Sequence, residues 1–214
     1  MKISEIFYSL QGEGVYAGLP MIFIRTQGCN LAELYGGCVW CDTRYAQYSH
    51  QGEERSIAEI LEEVEKYPAL WVCLTGGEPL YQAEAVGELL SALKERGYRV
   101  EVETNGSLPL PSLEGADCWV VDVKCPSSGM AGYTCWSVLT ALRPQDQVKF
   151  VIQDRRDFDY SLEVLRHHPL KAQVVFSPVW GSSPQQLARW VKEVPQARLS
   201  LQLHKLLWGE RRGV

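Results

Sequence analysis

Short apolar runs rich in β-branched residues recur along the whole chain with helical patterns between several of them, and that alternation limits the fold more than any single motif does. The runs at residues 20–26, 70–75, 98–103, 118–123, 147–152, 172–176 and 198–203 read as strands. Ser56 with Glu59 makes a capping-box pattern ahead of Ile60, Leu61 and Val64, and Ser183-Pro184 with Gln186 does the same ahead of Leu187, Trp190 and Val191. A third helix fits 83–96, stopped by Gly97, and a fourth fits 158–168, stopped before Pro169. Uninterrupted runs such as Trp71-Val72-Cys73-Leu74 suit strands buried on both faces, as in a parallel sheet. The connections 104–117 and 124–146 carry no long helical pattern. The expected fold is therefore a single α/β domain over residues 1–214, an incomplete TIM-like barrel with a parallel sheet and a reduced helix set.

Composition narrows the partners. A net charge of -5 offers no basic stripe for a nucleic-acid backbone, which favours a small-molecule ligand. No apolar run approaches the roughly 20 residues needed to span a bilayer, and the opening Met-Lys-Ile-Ser-Glu is not a signal peptide, so a cytoplasmic location is expected. In that reducing compartment the seven cysteines read as ligands plus buried thiols, not as disulfides. Cys73 and Cys118 fall inside strand-like runs and are expected to be inert core residues, whereas Cys125 and Cys135 stand alone.

Ligand sites in α/β barrels form at the carboxyl ends of the strands, and here those ends are polar. Arg25 and a cysteine loop follow the first run, Thr75-Gly76-Gly77-Glu78-Pro79 the second, and Glu103-Thr104-Asn105-Gly106 the third. Asp122 and Lys124 end the fourth, Ser177-Pro178 follows the sixth, and His204-Lys205 the seventh. Gly76-Gly77 would let main chain meet a ligand edge-on. Glu78 reads either as an acceptor for a ligand ammonium or as a surface carboxylate at a helix N-terminus. Arg25 should meet a planar anion, either a substrate carboxylate or an internal partner such as Glu13 or Glu103. The segment Ser9-Leu10-Gln11-Gly12-Glu13-Gly14 is loop-like, and Gln11 offers a heterocycle both donor and acceptor.

The cysteine loop, residues 28–43, gathers Cys29, Cys38 and Cys41. With His50 as a fourth ligand they could close a zinc site; alone, three thiolates would hold an iron-sulfur cluster with one iron left open.

Gly-Cys-Asn after an apolar strand, then Trp-Cys-Asp-Thr, then Thr-Gly-Gly-Glu-Pro resembles the radical S-adenosylmethionine enzymes. The opening Phe7-Tyr8-Ser9-Leu10-Gln11-Gly12-Glu13-Gly14 with Phe23-Ile24-Arg25, Cys41-Asp42-Thr43, Glu103-Thr104-Asn105-Gly106 and Gln202-Leu203-His204-Lys205 resembles the 7-carboxy-7-deazaguanine synthases within them. The resemblance runs from residue 3 to about 208. One departure stands out: eight residues separate Cys29 from Cys38, where most of the superfamily has three, although that gap varies in this branch. The insertion at 31–37 has no counterpart from which its conformation can be read.

The resemblance implies a partial barrel of the radical S-adenosylmethionine type. It implies a [4Fe-4S] cluster on Cys29, Cys38 and Cys41, S-adenosylmethionine chelated to the open iron, and a 5′-deoxyadenosyl radical that abstracts hydrogen from C6 of 6-carboxy-5,6,7,8-tetrahydropterin. Ring contraction and ammonia loss would give 7-carboxy-7-deazaguanine, a step of queuosine and 7-deazapurine biosynthesis. Leu10, Gln11 and Gly12 match the pterin-binding segment, Arg25 the substrate-carboxylate ligand and Thr75 a further substrate contact. Gly77 matches a cofactor contact, with Glu78 near the methionyl ammonium. Asp122, Val123 and Lys124 align with a cofactor segment of which only the lysine is kept, and Ser177, Pro178, Val179 and Trp180 with another that retains the proline. Thr43 matches the hydroxyl that ligates Mg²⁺, and otherwise reads as a turn threonine. A reductant such as flavodoxin and a homodimer are implied as partners; the basic tail at 205–214 is assigned no role. A radical activating enzyme acting on a protein partner and a non-catalytic zinc module are the alternatives. Anaerobically purified protein is expected to be brown, with about four irons per chain and broad absorbance near about 400 nm, whereas colourless protein carrying stoichiometric zinc would select the zinc module.

Overall fold

The computed structural model describes residues 1–214 apart from the side chain of Leu113. Its strands are β1 (Lys2–Leu10), β2 (Pro20–Thr26), β3 (Glu53–Glu54), β4 (Trp71–Gly76), β5 (Arg99–Thr104), β6 (Cys118–Asp122), β7 (Gln147–Ile152), β8 (Gln173–Pro178) and β9 (Arg198–Leu199). They form one nine-stranded sheet in the order β3-β1-β2-β4-β5-β6-β7-β8-β9. β1 pairs antiparallel with β2 and β3, and every pairing from β2 to β9 is parallel. The sheet is open at β3 and β9 yet curled, because the loop after β1 reaches β7. The Val15 amide donates to Gln147 Oε1 at 3.0 Å, and Lys149 pairs with Glu13 at 3.1 Å. The partial barrel is thus the observed fold.

The helices are α1 (Asn30–Tyr35), α2 (Ile57–Val64), α3 (Ala83–Glu95), α4 (Trp136–Ala141), α5 (Arg155–His167), α6 (Pro184–Val191) and α7 (Leu203–Trp208). Local chemistry sets their ends. Ser56 and Glu59 complete the capping box of α2, Asp154 caps α5 by accepting from Asp157 N, and Ser183 caps α6 with Pro184 at its first turn. Gly97 follows α3 at φ +81°, a conformation that side chains resist. α5 and α6 cover β7 and β8, where Phe150, Phe158 and Phe176 are all fully buried and their rings stack 5.1–5.6 Å apart through Phe176. Among the described residues no helix is long and apolar enough to cross a membrane.

Two expectations change, and the conformation of the insertion, left open by the sequence, is now defined. The run at 198–203 pairs only over Arg198–Leu199; beyond it Ser200 N bonds Phe176 O, and the chain turns into α7, which carries His204 and Lys205. Leu199, Leu201 and Leu203 mimic strand alternation, but no further strand lies outside β9 to cover them. The start of the opening segment is strand, since β1 extends to Leu10 with β2 and β3 as neighbours; Gln11 onward is loop. The insertion at 31–37 folds as α1, closed by Gly36 at φ +87°.

Phe176→Ala should cost about 3–5 kcal/mol of unfolding free energy, against about 1 kcal/mol for Ser56→Ala, as read from urea denaturation.

Candidate active site

The carboxyl ends of the strands enclose a cleft of about 720 Å³. Its wall includes Leu10 from the end of β1, Gln11 and Gly12 from the loop after it, Arg25 from β2, Cys29, Cys41 and Thr43, Thr75 and Gly77, Glu103, Asp122, Lys124 and Lys149. Such a volume admits more than one small molecule.

The cysteine loop is placed by backbone bonds. Gly28 N donates to Ala46 O and Cys29 N to Gln47 O, both at 2.8 Å, while Val39 N reaches Ser128 O at 3.0 Å. The Gly76-Gly77 turn crosses directly under it: Gly77 N bonds Thr26 O, Glu78 N bonds Gly28 O, and a Cβ on Gly77 would lie 2.3 Å from Gly28 O and 2.4 Å from Ala46 O. The close approach that glycine permits here is therefore to the chain's own cysteine loop.

All three thiols are half-buried and free. Their sulfurs do not all lie within 4.8 Å of one another, whereas a tetrahedral zinc with bonds of about 2.3 Å would draw them closer. His50 is exposed, with its ring beside Tyr48, and is absent from the cleft wall. A closed zinc site is thus not formed among the described residues. Burial pushes Cys29 up, opposed by the α1 amides of Ala32 and Leu31; burial likewise pushes Cys38 up, opposed by the Lys124 ammonium. Amides and an ammonium beside sulfur are the surroundings that stabilise thiolates on an anionic cluster, so the donor set fits the [4Fe-4S] group.

The floor is Glu103, with a second acid buried beneath it. Glu101 and Glu103, two apart on β5, share one face of the strand, and the Gln11 amide nitrogen donates to both, the second at 3.2 Å. Thr75 Oγ1 donates to Glu103 Oε2 at 3.0 Å. Burial, then the Glu103 charge, pushes the Glu101 carboxyl up to about 8. Cys73, between them and the β2 side of the barrel, is fully buried and pushed well up by burial.

Arg25 pairs with Glu5, Nε to Oε1 at 2.9 Å, and not with Glu13 or Glu103. Glu13 is instead taken by Lys149 and Gln202, and Glu103 by Gln11 and Thr75. Tyr45 donates its hydroxyl to Glu5 at 2.9 Å, and the Arg212 guanidinium stacks 3.6 Å above the Tyr45 ring. Thr43 Oγ1 donates to Asp42 at 3.0 Å; burial opposes ionisation of Asp42, but Lys205 at 2.6 Å holds it well below the usual carboxylate range.

The residues matched to the cofactor divide. Gly77, Asp122 and Lys124 line the cleft, and Asp122 Oδ1 is buried without a hydrogen-bond partner. Val123 lies in the core. Glu78 is fully buried behind the wall, accepting from Leu80 N, Thr104 Oγ1 and Asn105 N, which overturns the surface-carboxylate alternative. Ser177 and Pro178 are buried, with the Ser177 hydroxyl on Ser200 O at 3.0 Å. Among the described residues Val179 and Trp180 stand outside the wall, and Lys205 lies 5.5 Å over the Trp180 ring. Glu5, Glu101 and Lys149 went unnoticed in the sequence. The signal for Glu101 was present: two acids at alternate positions of Val100-Glu101-Val102-Glu103, in a strand otherwise apolar, must share an interior face.

Comparison with known proteins agrees with this geometry. Residues 23–122 match the Radical SAM superfamily. A 7-carboxy-7-deazaguanine synthase of Koribacter versatilis is 40% identical over the full length of both chains. One of Methanospirillum hungatei is 40% identical over 97% of this chain and 85% of its own. The crystal structure of QueE from Escherichia coli superposes with a TM-score of 0.78 at 25% identity, covering 95% of this chain and 94% of that one. The partial barrel with three cysteines at its mouth is that of the radical S-adenosylmethionine enzymes. Within that class the chain belongs to the 7-carboxy-7-deazaguanine synthase family.

Gly77→Ala should displace the cysteine loop and lower the iron bound on reconstitution. Gly87→Ala, in α3 where a Cβ meets nothing within 4 Å, should keep the iron and gain about 0.5–1 kcal/mol in stability.

Proposed function

We propose that this cleft converts 6-carboxy-5,6,7,8-tetrahydropterin to 7-carboxy-7-deazaguanine with loss of ammonia. The observation that carries the reading is the convergence on one cleft of two of the three loop thiols, a guanidinium and a polar floor suited to a heterocycle. Cys29, Cys38 and Cys41 would hold the [4Fe-4S] cluster. When bound, the cluster and S-adenosylmethionine supply the hydrogen-abstracting radical that no side chain can provide.

The chain's own residues bind and orient. Arg25 is half-spent on Glu5 through Nε, which leaves the far side of its guanidinium for the substrate carboxylate. Leu10, Gln11 and Gly12 with Thr75 hold the pterin over Glu103. Gly77, Asp122 and Lys124 face the S-adenosylmethionine side, where the orphan Asp122 Oδ1 is an acceptor awaiting a donor. Glu78, Val123, Ser177 and Pro178 act from behind the wall by fixing the backbone that presents it, and Trp180 braces Lys205 at the rim. Burial lowers His204, so its imidazole is neutral near pH 7 and able to take a proton at the cleft. Thr43 would offer Mg²⁺ one oxygen beside Asp42, the remaining ligands being substrate and water. Lys149 stays charged against Glu13 and Asp122, keeping the anionic substrate balanced. A reductant such as flavodoxin, a cytoplasmic setting and a homodimer complete the reading.

Reconstituted protein with dithionite, S-adenosylmethionine, Mg²⁺ and the carboxytetrahydropterin should yield carboxydeazaguanine. Formation of 5′-deoxyadenosine without that product would refute the substrate while keeping the radical class. Arg25→Ala should raise KM by about 10- to 100-fold, a loss of roughly 1.5–3 kcal/mol for a hydrogen bond to a charged group, with the cluster absorbance intact. Loss of that absorbance would make Arg25 structural.

A further inference from the structure

One carboxyl group in the barrel, Glu101, has no place in the chemistry above. It is 1% exposed and sits one layer below Glu103 on β5. Its Oε1 accepts from Gln11 Nε2, and its Oε2 accepts from Gln147 Nε2 at 3.3 Å. The same two glutamines govern the loop after β1. Gln11 Oε1 accepts from Glu13 N at 3.2 Å, and Gln147 Oε1 accepts from Val15 N at 3.0 Å. Glu101 is therefore the buried post to which both ends of the substrate-facing loop are tied.

We propose that Glu101 is a positioning residue for substrate recognition, setting Gln11 and the Gln11–Val15 loop over the cleft as the inner carboxyl beneath Glu103. The proposal rests on the reading that Leu10, Gln11 and Gly12 bind the pterin. Two carboxylates served by one amide nitrogen in a water-poor interior cannot both ionise without repulsion. The groups facing Glu101 from neighbouring elements relieve it only in part: hydrogen bonds from Gln11 and Cys73 and the Lys149 charge are outweighed by burial and Glu103. Cys73 on β4, Cys118 on β6 and Tyr16 in the loop after β1 are all pushed upward by burial and stay neutral near pH 8. Lys149 on β7 is the cation, and it is already shared with Glu13 and Asp122. Burial and Glu103 lift the Glu101 carboxyl to about 8. The inner acid is protonated at neutral pH, and raising the pH through that value places a negative charge beneath an anionic substrate.

The sign for stability follows from the same proton. The folded chain holds it and the unfolded chain does not, so stability falls as pH rises from the ordinary glutamate range toward 8. Glu101→Gln keeps the shape and an acceptor for Gln11 while removing the ionisation. The wild-type KM for the carboxytetrahydropterin should climb above about pH 8 by up to about tenfold per pH unit, and the Glu101→Gln KM should stay flat over that range. Glu101→Leu, which removes the acceptors, should raise KM at every pH more than it lowers kcat. Coincident KM–pH profiles for wild type and Glu101→Gln would overturn the proposal. A second arm does not depend on the substrate: wild type should lose unfolding free energy between pH 6 and about 8.5 relative to Glu101→Gln, measured in urea. Parallel stability curves would likewise overturn it, whichever ligand the cleft takes. Failure to make product with the predicted stability difference intact would count against the substrate reading alone.

Discussion

An open sheet curled into most of a barrel leaves a seam between its first and last strands, and everything the cleft does depends on how that seam is closed. Here no strand pairing closes it. The loop after β1 spans the gap: Gly12 O accepts from Leu203 N, Gly14 N donates to Ser200 Oγ, and Val15 N donates to Gln147. Gly12 has no room for a side chain because His204 lies against it, where a Cβ would fall 2.0 Å from Nδ1. The strip that seals the barrel is thus the strip that carries Leu10, Gln11 and Gly12 into the cleft, so closure and recognition are one arrangement of backbone.

The sheet beyond that strip was readable because buried parallel strands announce themselves. The run at 147–152 matches β7 at both ends, and β4, β5, β6 and β8 differ from expectation by one or two residues at an end. Helices with strong caps at Ser56 and Ser183 were equally plain. What escaped is what tertiary contact decides. β1 is polar on much of its length and becomes a strand only because β2 and β3 flank it. α1 and α4 are six residues each, too short for a periodic signal. Among site residues, Arg25 was legible as a cation needing a partner, but that the partner is Glu5 follows from the β1–β2 register, which pairs Glu5 with Arg25 across the ladder. Glu78 showed its chemistry and not its direction: its side chain turns inward to bind Thr104 and Asn105.

Charge is arranged in the cleft as a set of close balances, two of them linked where Asp122 also faces Lys149 at 3.9 Å. Glu5 answers Arg25, Asp122 answers Lys124, Glu13 answers Lys149 and Asp42 answers Lys205. Glu13 with Lys149 and Asp42 with Lys205 join elements distant in sequence, and each of the four pairs lies at least partly out of water, where an unpaired charge would be costly. A ligand carboxylate or ammonium entering such a site meets groups already held in position, which limits the reorganisation that binding requires.

The cysteine loop is anchored through main-chain bonds to Ala46, Gln47, Glu78 and Ser128, and through side chains by Asn30 to Ser107 and Asn105 and by Trp40 to Ser127. Small zinc modules need the metal in order to fold; this loop has its scaffold written into the polypeptide. A change in the backbone at Ala46, Gln47 or Ser128 would therefore reach the cluster ligands without touching a cysteine.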